Sequence, residues 1–375
     1  MKEYKIITAA AVLAFAAVMA FGTFLSRGKK SSAEETRSLA EFPKADFQTM
    51  YNGDFSKQMN DHFTDHFPLR SKWMSIETKL RSALGESISD GVYIGSERLL
   101  DCGFSERVPD PTAADRLNAF VSGYDGTAYL AVIPSSSGVY DDELPYYLLG
   151  DTEGQQINRL YDSLSGGIRK IDAYNILKML KDNYIYYRSD TKWTSYGAYC
   201  VYRTVIQKLG FQPITYDKYT IRHVADNFRG DLYNRTLYTG VRSDLLDIYE
   251  YPDGSQILTC MSVDKDGHTE ECSFYDMDML ETEDMYRMYL GENVPVLEIE
   301  TDVNNQRKLL VIKDSYADCF IPFLTQHFSR ITVVSPEDME GVLSDYVDVS
   351  DYEQTLMLFG IENIGNTDFF SGISK

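Results

Sequence analysis

Short apolar runs alternate with helix-length stretches of mixed polarity from about residue 90 to residue 335. The runs at 129–133, 309–312 and 331–334 are continuous rather than alternating. Continuous runs of this length are typical of strands whose two faces are both buried, as in a parallel sheet. Because helical stretches separate them, the pattern predicts an α/β fold with a parallel sheet flanked by helices.

Two helices are predicted around these strands. The stretch from residue 195 to residue 209 carries apolar residues on one helical face, with Thr194 as the N-cap. The residues of that face are Ala198, Val201, Tyr202, Val205 and Leu209. A second stretch, 316–328, has the length of a crossover helix between two parallel strands, with Pro322 near its first turn.

Changes in this pattern divide the chain into four segments. Residues 1–30 form a membrane anchor or signal segment, and 31–85 form a polar tether and a helical lead-in that packs on the main domain. Residues 86–345 form the α/β domain, and 346–375 form a C-terminal tail. Inside the domain, 236–284 is polar and irregular, which indicates an insertion or a small satellite sheet.

The N-terminal segment contains 20 consecutive uncharged residues, 6–25, about the length of a helix that spans a bilayer. Residues 18–20 could instead be a signal-peptide cleavage site, and the chain would then be secreted after cleavage near Ala20. The apolar run continues to Leu25, so an uncleaved membrane anchor is favoured. Basic residues flank both ends of the run, so charge alone does not set its orientation.

Composition and charge exclude some function classes. The 375 residues are 43% hydrophobic and 25% charged, which is typical of a globular protein. The formal net charge is −21, so nucleic acid is not an expected partner, because phosphate binding needs clustered Lys and Arg. The 28 tyrosines suit either a saccharide-contacting cleft or the half-buried face of a sheet.

Neither the cysteines nor the histidines form a recognisable metal motif. The five cysteines lack CxxC spacing, which argues against a zinc site and a disulfide scaffold, while a Cys260–Cys272 bridge stays open. His62 and His66 stand four residues apart, without the carboxylates of a metalloprotease motif. We therefore expect no metal and no cofactor.

The segment 308–317 contains the best candidate nucleophile. Its apolar strand runs directly into Asp314 and Ser315, which places the serine at the carboxyl edge of a parallel sheet. There the hydroxyl is exposed, and the amides of Ser315 and Tyr316 can point towards an oxyanion. Serine is a weak nucleophile unless a base takes its proton, so such a site also needs a base. An ordinary N-cap serine is the alternative interpretation.

A second segment, 187–199, favours the interpretation of Ser315 as a nucleophile over that of an ordinary N-cap. Asp190 and Lys192 stand two residues apart on an extended stretch, so their side chains point the same way. Trp193 and a capped helix follow. This order resembles the Asp-x-His-Trp-Thr segment of the DHHW family and of the alginate O-acetylation proteins of the AlgX–AlgJ type, within the SGNH-hydrolase-like group.

Other short segments resemble the same family, in the family's order, from residue 90 to residue 335. They are 90–95, 132–134 with 144–145, 228–233, 290–293, and 309–328. The resemblance implies an SGNH-hydrolase-like domain that is circularly permuted relative to ordinary SGNH esterases. It also implies an Asp–His pair that activates a serine on a separate strand-to-helix turn.

Carried over residue by residue, the family's aspartate falls on Asp190, its serine on Ser315 and its histidine on Lys192. The resemblance implies an extracytoplasmic acyl (acetyl) esterase or O-acyltransferase acting on cell-surface polysaccharide. It implies a membrane-bound O-acyltransferase as partner. The expected oxyanion donors, the amides of Ser315 and Tyr316, follow from the strand-to-helix turn rather than from the resemblance. The candidate substrate contacts are Trp193, which directly follows Lys192, and Tyr286 and Asn293, which we expect to face the site.

Lys192 leaves open whether the chain is an enzyme. Lysine is a poor general base unless desolvation lowers its pKa from about 10.4, and Asp190 would favour the charged ammonium. A Ser–Lys dyad is chemically legitimate. The alternative is a catalytically inactive relative that binds glycan or docks onto a membrane O-acyltransferase complex.

Two other histidines are candidate bases. His327 lies 12 residues beyond Ser315, which in a helix is roughly 18 Å, so we expect it at the surface or at a helix cap. His223 lies on an uncertain loop, and we expect it to be solvated.

Overall fold

The computed structural model describes residues 2–26, 28–32, 35, 37–103, 110–148 and 151–373. The chain divides into two compact units. The N-terminal unit comprises Met1–Ser89 and Tyr233–Gly240, and the α/β unit comprises Asp90–Leu232 and Val241–Lys375.

The N-terminal unit is mainly helical. Its helices are α1 (Lys2–Ser26), α2 (Phe47–Asn52), α3 (Asp54–Asp65) and α4 (Arg70–Ala83). Its strands are β1 (Ser31–Ser32), β2 (Arg37–Ser38) and β3 (Ile88–Ser89), and β1 pairs with β2 in antiparallel orientation. Of the helices in the described residues, none combines the length and apolar character needed to cross a bilayer.

Ion pairs and stacked rings hold the N-terminal unit together. Arg37 lies between Glu35, at 2.9 Å, and Asp65, at 2.6 Å. The pKa of Asp65 is lowered to about 2, chiefly by the hydrogen bond from Arg37. His62 and His66 are buried and stack with ring centroids 4.0 Å apart. Because ring nitrogens of both lie within hydrogen-bond distance of backbone carbonyls, these histidines serve packing.

The α/β unit contains the remaining strands and helices. The strands are β4 (Val92–Ile94), β5 (Leu99–Asp101), β6 (Thr127–Ile133), β7 (Ile168–Ile171), β8 (Thr220–Phe228), β9 (Asp244–Glu250), β10 (Ile257–Val263), β11 (Thr269–Glu271), β12 (Val296–Thr301), β13 (Lys308–Lys313), β14 (Arg330–Val334) and β15 (Gln354–Gly360). The helices are α5 (Ala113–Ser122), α6 (Ser136–Val139), α7 (Glu153–Ser163), α8 (Ala173–Met179), α9 (Ser195–Lys208), α10 (Asp231–Thr236, which ends in the N-terminal unit), α11 (Ile321–Leu324) and α12 (Thr367–Ile373).

The central sheet has the strand order β11-β10-β12-β14-β13-β15-β6-β7. The strands from β14 to β7 are parallel, and β12, β10 and β11 continue the sheet in antiparallel pairs. Successive side chains of β13 point to opposite faces, so Leu309 packs in the cluster that contains Val201 of α9. Leu310 packs in the cluster that contains Phe369 of α12. The predicted α/β fold, a mostly parallel sheet flanked by helices, is confirmed.

The connectivity of the five parallel strands is circularly permuted. Counted from β13, their spatial order is second, first, third, fourth, fifth, which is the order of a flavodoxin-like doubly wound sheet. In this chain, however, the fourth and fifth strands of that order, β6 and β7, precede β13 in sequence. The connection therefore changes direction between β13 and β15.

The structure corrects the predicted C-terminal tail, 346–375. Gln354–Gly360 is strand β15, which lies in the middle of the sheet between β13 and β6 and is buried along most of its length. The region 236–284 is also more regular than predicted. Its strand β9 pairs with β8, and its strands β10 and β11 extend the central sheet.

One predicted helix is confirmed and the other is wrong. Helix α9 begins after Thr194, whose hydroxyl accepts a hydrogen bond from the Gly197 amide at 3.2 Å. The predicted helix 316–328 is replaced by a 3₁₀ turn at Ser315–Ala317 and the four-residue α11. Nearly every side chain of this connection is buried, so it lacks the solvent-facing side that a surface helix needs.

Candidate functional site

The point where the strand connection changes direction is the place where open α/β sheets bind ligands, in the crevice beyond the carboxyl ends of the strands. Ser315 follows the end of β13, and Glu362 follows the end of β15. The carboxyl ends of these two neighbouring parallel strands therefore place both residues at the same edge of the sheet.

Asp314 ties the ends of these two strands together. One carboxylate oxygen accepts hydrogen bonds from the Gly360 amide at 2.7 Å and from the Asn363 side chain at 2.9 Å. The other accepts from the Tyr316 amide at 2.9 Å. Burial raises the pKa of Asp314 to about 6, and these three donors oppose that rise. Ser315 is thus held on a fixed turn.

The predicted oxyanion donors need a correction. The Tyr316 amide donates to Asp314, so it is not free to donate to a substrate oxygen. Ser315 is partly exposed, and within the described part of the chain neither its amide nor its hydroxyl has a hydrogen-bond partner. The amide of Ser315 is therefore the remaining backbone donor of the predicted pair.

The loop that contains Asp190 and Lys192 lies against the residue after Ser315. The Trp193 indole N–H donates to the Tyr316 carbonyl at 2.7 Å. The Tyr316 hydroxyl lies 2.8 Å from Glu362 Oε1 and 3.1 Å from the Thr191 carbonyl, and both oxygens are acceptors for its proton. The indole is fully buried and stacks on Phe320, with ring centroids 6.1 Å apart. Trp193 therefore fastens the loop to the turn, and its predicted contact with substrate does not fit this burial.

Lys192 and Asp190 form an ion pair, with Lys192 Nζ 3.4 Å from Asp190 Oδ1. The carboxylate also accepts hydrogen bonds from the backbone amides of Lys192 and Asp231, each at 3.0 Å. Gly230 packs directly on this carboxylate, and a Cβ at that position would overlap it. The sequence places glycine where the backbone must approach Asp190 closely.

The charges around Lys192 keep it protonated. Burial lowers the pKa of Lys192, but the carboxylates of Asp190, Asp231 and Glu362 outweigh that effect, so its pKa lies above the ordinary value. Burial likewise raises the pKa of Asp190, but Lys192 and the two amides lower it more, and the net shift is downward. At neutral pH this is a carboxylate beside an ammonium, and an ammonium cannot accept a proton.

The other two predicted substrate contacts, Tyr286 and Asn293, differ in burial and in their neighbours. Tyr286 is 6% exposed, and its ring lies 5.5 Å from Lys192 Nζ. Asn293 is exposed and lines a small cleft together with Lys313 and Asp318. Lys313 and Asp318 form a buried ion pair at 2.6 Å.

Sequence reasoning missed four charged residues of this region: Asp231, Glu362, Lys313 and Asp318. One signal was available for Glu362, because it follows an apolar run as Ser315 does. Asp231 lies in the segment 228–233, whose resemblance to the family indicates no role for this carboxylate.

Neither candidate histidine replaces the missing base. The expectation of a surface or cap position for His327 is wrong: it is buried, and its Nε2 lies 2.7 Å from the Tyr202 hydroxyl. Burial lowers the pKa of His327 to about 4. His327 precedes β14 and so lies at the opposite end of the parallel strands from Ser315. His223 is exposed, as expected, and lies 2.6 Å from Asp247.

Two further clusters bear on cofactor chemistry. Among the described residues, Asp264, Asp266 and His268 come together like metal ligands in the exposed turn between β10 and β11. Amides of Asp266 and His268 donate to Asp264, so the cluster is explained by the turn itself. Cys260 and Cys272 are free thiols with sulfur atoms 3.4 Å apart, so the bridge left open by the sequence is not formed.

Comparison with known proteins gives two sequence matches. A family model described as "DHHW protein" matches residues 75–334. A protein described as "Probable alginate O-acetylase AlgJ", from Azotobacter vinelandii, is 25% identical over 236 residues. That match covers 57% of this chain and 59% of AlgJ, so this chain spans less than two thirds of the length of AlgJ.

Solved structures show a similar fold. A DHHW family protein from Eubacterium siraeum superposes with a TM-score of 0.64 at 20% identity, covering 77% of this chain and 97% of the other. PatB1 from Bacillus cereus superposes with a TM-score of 0.60 at 19% identity, covering 74% and 98%. At these identities the similarity establishes the fold.

Proposed function

The chain belongs to the DHHW protein family, and on this basis we propose that it takes part in the O-acetylation of a polysaccharide, as a protein that binds the acylated glycan without turning it over. Its similarity to the probable alginate O-acetylase AlgJ supports the polysaccharide role. One observation supports binding rather than catalysis. The position of the family's histidine is occupied by Lys192, an ammonium paired with Asp190.

The chemistry of a serine nucleophile explains why this ammonium matters. For Ser315 Oγ to form a bond to an acyl carbon, its proton must pass to a base as the bond forms. An ammonium has no free electron pair to take that proton. The surrounding carboxylates would have to be removed, or neutralised, before Lys192 could lose its own proton at neutral pH.

A serine-dependent acetyl esterase or O-acyltransferase is the second candidate function, and one observation favours it. Ser315 is partly exposed on a fixed turn at the ligand-binding edge, and its hydroxyl has no partner within the described residues. In this mechanism Ser315 is the nucleophile, Asp190 is the positioning residue, and Lys192 is the base of a Ser–Lys dyad. The amide of Ser315 would donate to the oxyanion.

The proposal also implies a cellular location and a partner. A protein that handles cell-surface polysaccharide works outside the cytoplasm, either held at the membrane by the apolar run 6–25 or released by cleavage near Ala20. A membrane-bound O-acyltransferase is the partner that would supply the acyl group. Protease protection of the full-length chain in intact cells tests the location, and complete protection would contradict it.

The function is tested with an O-acetylated oligosaccharide and the full-length chain. We expect saturable binding and no acetate release by the parent, binding retained in Ser315→Ala, and acetate release gained in Lys192→His. Lys192→Arg is the matched control, because it keeps the positive charge and should stay inactive. Acetate release by the parent that is lost in Ser315→Ala would overturn the binding proposal in favour of the esterase. Absence of both binding and release would contradict both.

A further inference from the structure

Helix α4 presents its apolar residues to solvent and its small polar residues to the protein. The large side chains on its outer face are 46% to 74% exposed, including the residues at its two caps. They are Leu69, Trp73, Ile76, Leu80 and Leu84. On the inner face Thr78 is buried, and its hydroxyl donates to the Thr236 carbonyl at 2.9 Å within the same unit. This is the reverse of a helix that packs on a hydrophobic core.

The outer apolar residues form one narrow stripe. Their spacing is 4, 3, 4 and 4 residues. At about 100° of rotation per residue, that spacing confines them to an arc of about 80°. Phe63 of α3 and Phe67 of the following turn are also exposed and line an apolar groove with Trp73. Large exposed apolar surfaces of this kind mark binding sites.

Basic residues border the stripe on both sides. Lys72 and Lys79 lie on one side of the arc, and Arg70 and Arg81 lie on the other. The helix contains a single acidic residue, so it carries a net positive charge in a chain whose formal net charge is −21.

The two sides of the stripe differ in how their charges are paired. Arg81 pairs with Glu77 and Glu86, each at 2.9 Å, and Arg70 pairs with Glu35 at 2.5 Å. Lys72 and Lys79 are exposed and form no ion pair with the described residues. Two free ammonium groups beside an apolar arc are complementary to an anionic surface.

The stripe also begins beside the end of the apolar helix α1. The Ser26 hydroxyl, at the end of α1, donates to the His66 carbonyl at 2.6 Å. Gly22 packs so closely on Pro68 that a Cβ there would overlap the proline ring. The turn that leads into α4 is therefore fixed to α1, whose own exposed apolar residues include Val18 and Phe21. The exposed apolar residues of both helices therefore lie on either side of one fixed turn.

We propose that the outer face of α4 binds in the plane of an anionic lipid bilayer, with the Trp73 stripe at the boundary between headgroups and acyl chains. An amphipathic helix with Trp and Leu on its apolar face and Lys and Arg at its borders is the structure that binds lipid in this way. Tryptophan prefers that boundary because its ring is apolar and its N–H is polar. The contact is interfacial and does not require any helix to cross the membrane.

The chain contains two tryptophans, which makes the test selective. Trp193 is fully buried and contributes a constant background, whereas Trp73 is 46% exposed. The probe is vesicles of phosphatidylglycerol and phosphatidylcholine, with or without acyl chains brominated as a quencher, added to the full-length chain. We expect a blue shift and quenching of Trp73 emission, and no such change in Trp73→Phe. This readout reports insertion of α4 even if α1 alone brings the protein to the vesicles.

Variants separate lipid binding from other uses of the stripe. Leu80→Glu should weaken the membrane partitioning that produces the Trp73 signal by about tenfold or more, because a charge would replace a leucine that the proposed lipid contact buries. The double variant Lys72→Gln and Lys79→Gln should weaken this partitioning on anionic vesicles and remove the dependence of the partitioning on salt concentration. Vesicle-bound protein with unshifted and unquenched Trp73 would overturn the proposal. So would an equal signal on neutral vesicles, or a blue shift without lipid that grows with protein concentration, which would indicate a second copy of the chain.

Discussion

Replacing Lys192 with methionine tests how strongly the ion pair holds the Asp190 loop. The change removes the ammonium and keeps most of the length and volume of the side chain. At a separation of 3.4 Å, the attraction between two unit charges is about 5 kcal/mol for an effective dielectric constant of about 20. Methionine recovers the desolvation cost of the ammonium, and Asp190 keeps its two amide donors. The net loss expected in the free energy of unfolding is therefore about 2–4 kcal/mol.

The measurement is chemical denaturation at pH 7 in a Trp73→Phe background, so that fluorescence reports Trp193 in the same loop. Asp190→Asn, alone and combined with Lys192→Met, completes a double-mutant cycle. We expect a coupling free energy of about 1.5 kcal/mol or more. Because the pKa of Asp190 is lowered in the folded state, this coupling is present at neutral pH and is lost as pH falls through that lowered pKa. A coupling below about 0.5 kcal/mol at pH 7 would refute the view that the pair is ionised and held.

Other predictions concern packing and pH. Gly230→Ala should lower the free energy of unfolding by about 2–4 kcal/mol, because the added Cβ would overlap Asp190. Gly166 has open space around it, so Gly166→Ala is the matched control and should change the free energy of unfolding by less than about 0.5 kcal/mol. Burial lowers the pKa of His327 from 6.5 to about 4, so as pH falls from 6.5 to 4 the unfolded state binds a proton that the folded state does not. The free energy of unfolding should therefore fall by up to about 3 kcal/mol over this range in the parent relative to His327→Phe. Carbon-13 NMR should show the Asp314 carboxyl titrating near pH 6, and a midpoint below 4 would contradict the burial argument.

The part of the site that follows from local sequence was predictable. An apolar run that ends in Asp314 and Ser315 indicates a serine at a strand end, and the structure has that turn. The position of the Asp190 loop beside Tyr316 could not be derived from spacing, because 123 residues separate the indole of Trp193 from the carbonyl it binds. The family resemblance predicts that the Asp190 loop lies near the Ser315 turn, and the structure shows the hydrogen bond that joins them.

Two features were unpredictable for identifiable physical reasons. The apolar run 356–359 indicates a strand, but the position of β15 between β13 and β6 could not be derived from sequence, because strand order in a permuted sheet does not follow chain order. The Tyr316 amide donates to the Asp314 carboxylate, and this bond depends on the rotamer of Asp314, which no sequence pattern reports. By contrast, the inverted polarity of α4 is visible in the sequence once its helical bounds are known.

The central claim is that Lys192 is an ammonium at neutral pH, and NMR of its side-chain nitrogen measures this directly. Lysine-selective nitrogen-15 labelling of the full-length chain, with Lys192→Arg to assign the signal, follows the protonation state as pH is raised. The account predicts that the Lys192 signal keeps its ammonium shift from pH 6 through pH 10, because its pKa lies above the ordinary value. Deprotonation with a midpoint below about pH 8 would contradict it and would make the lysine available as the base for Ser315.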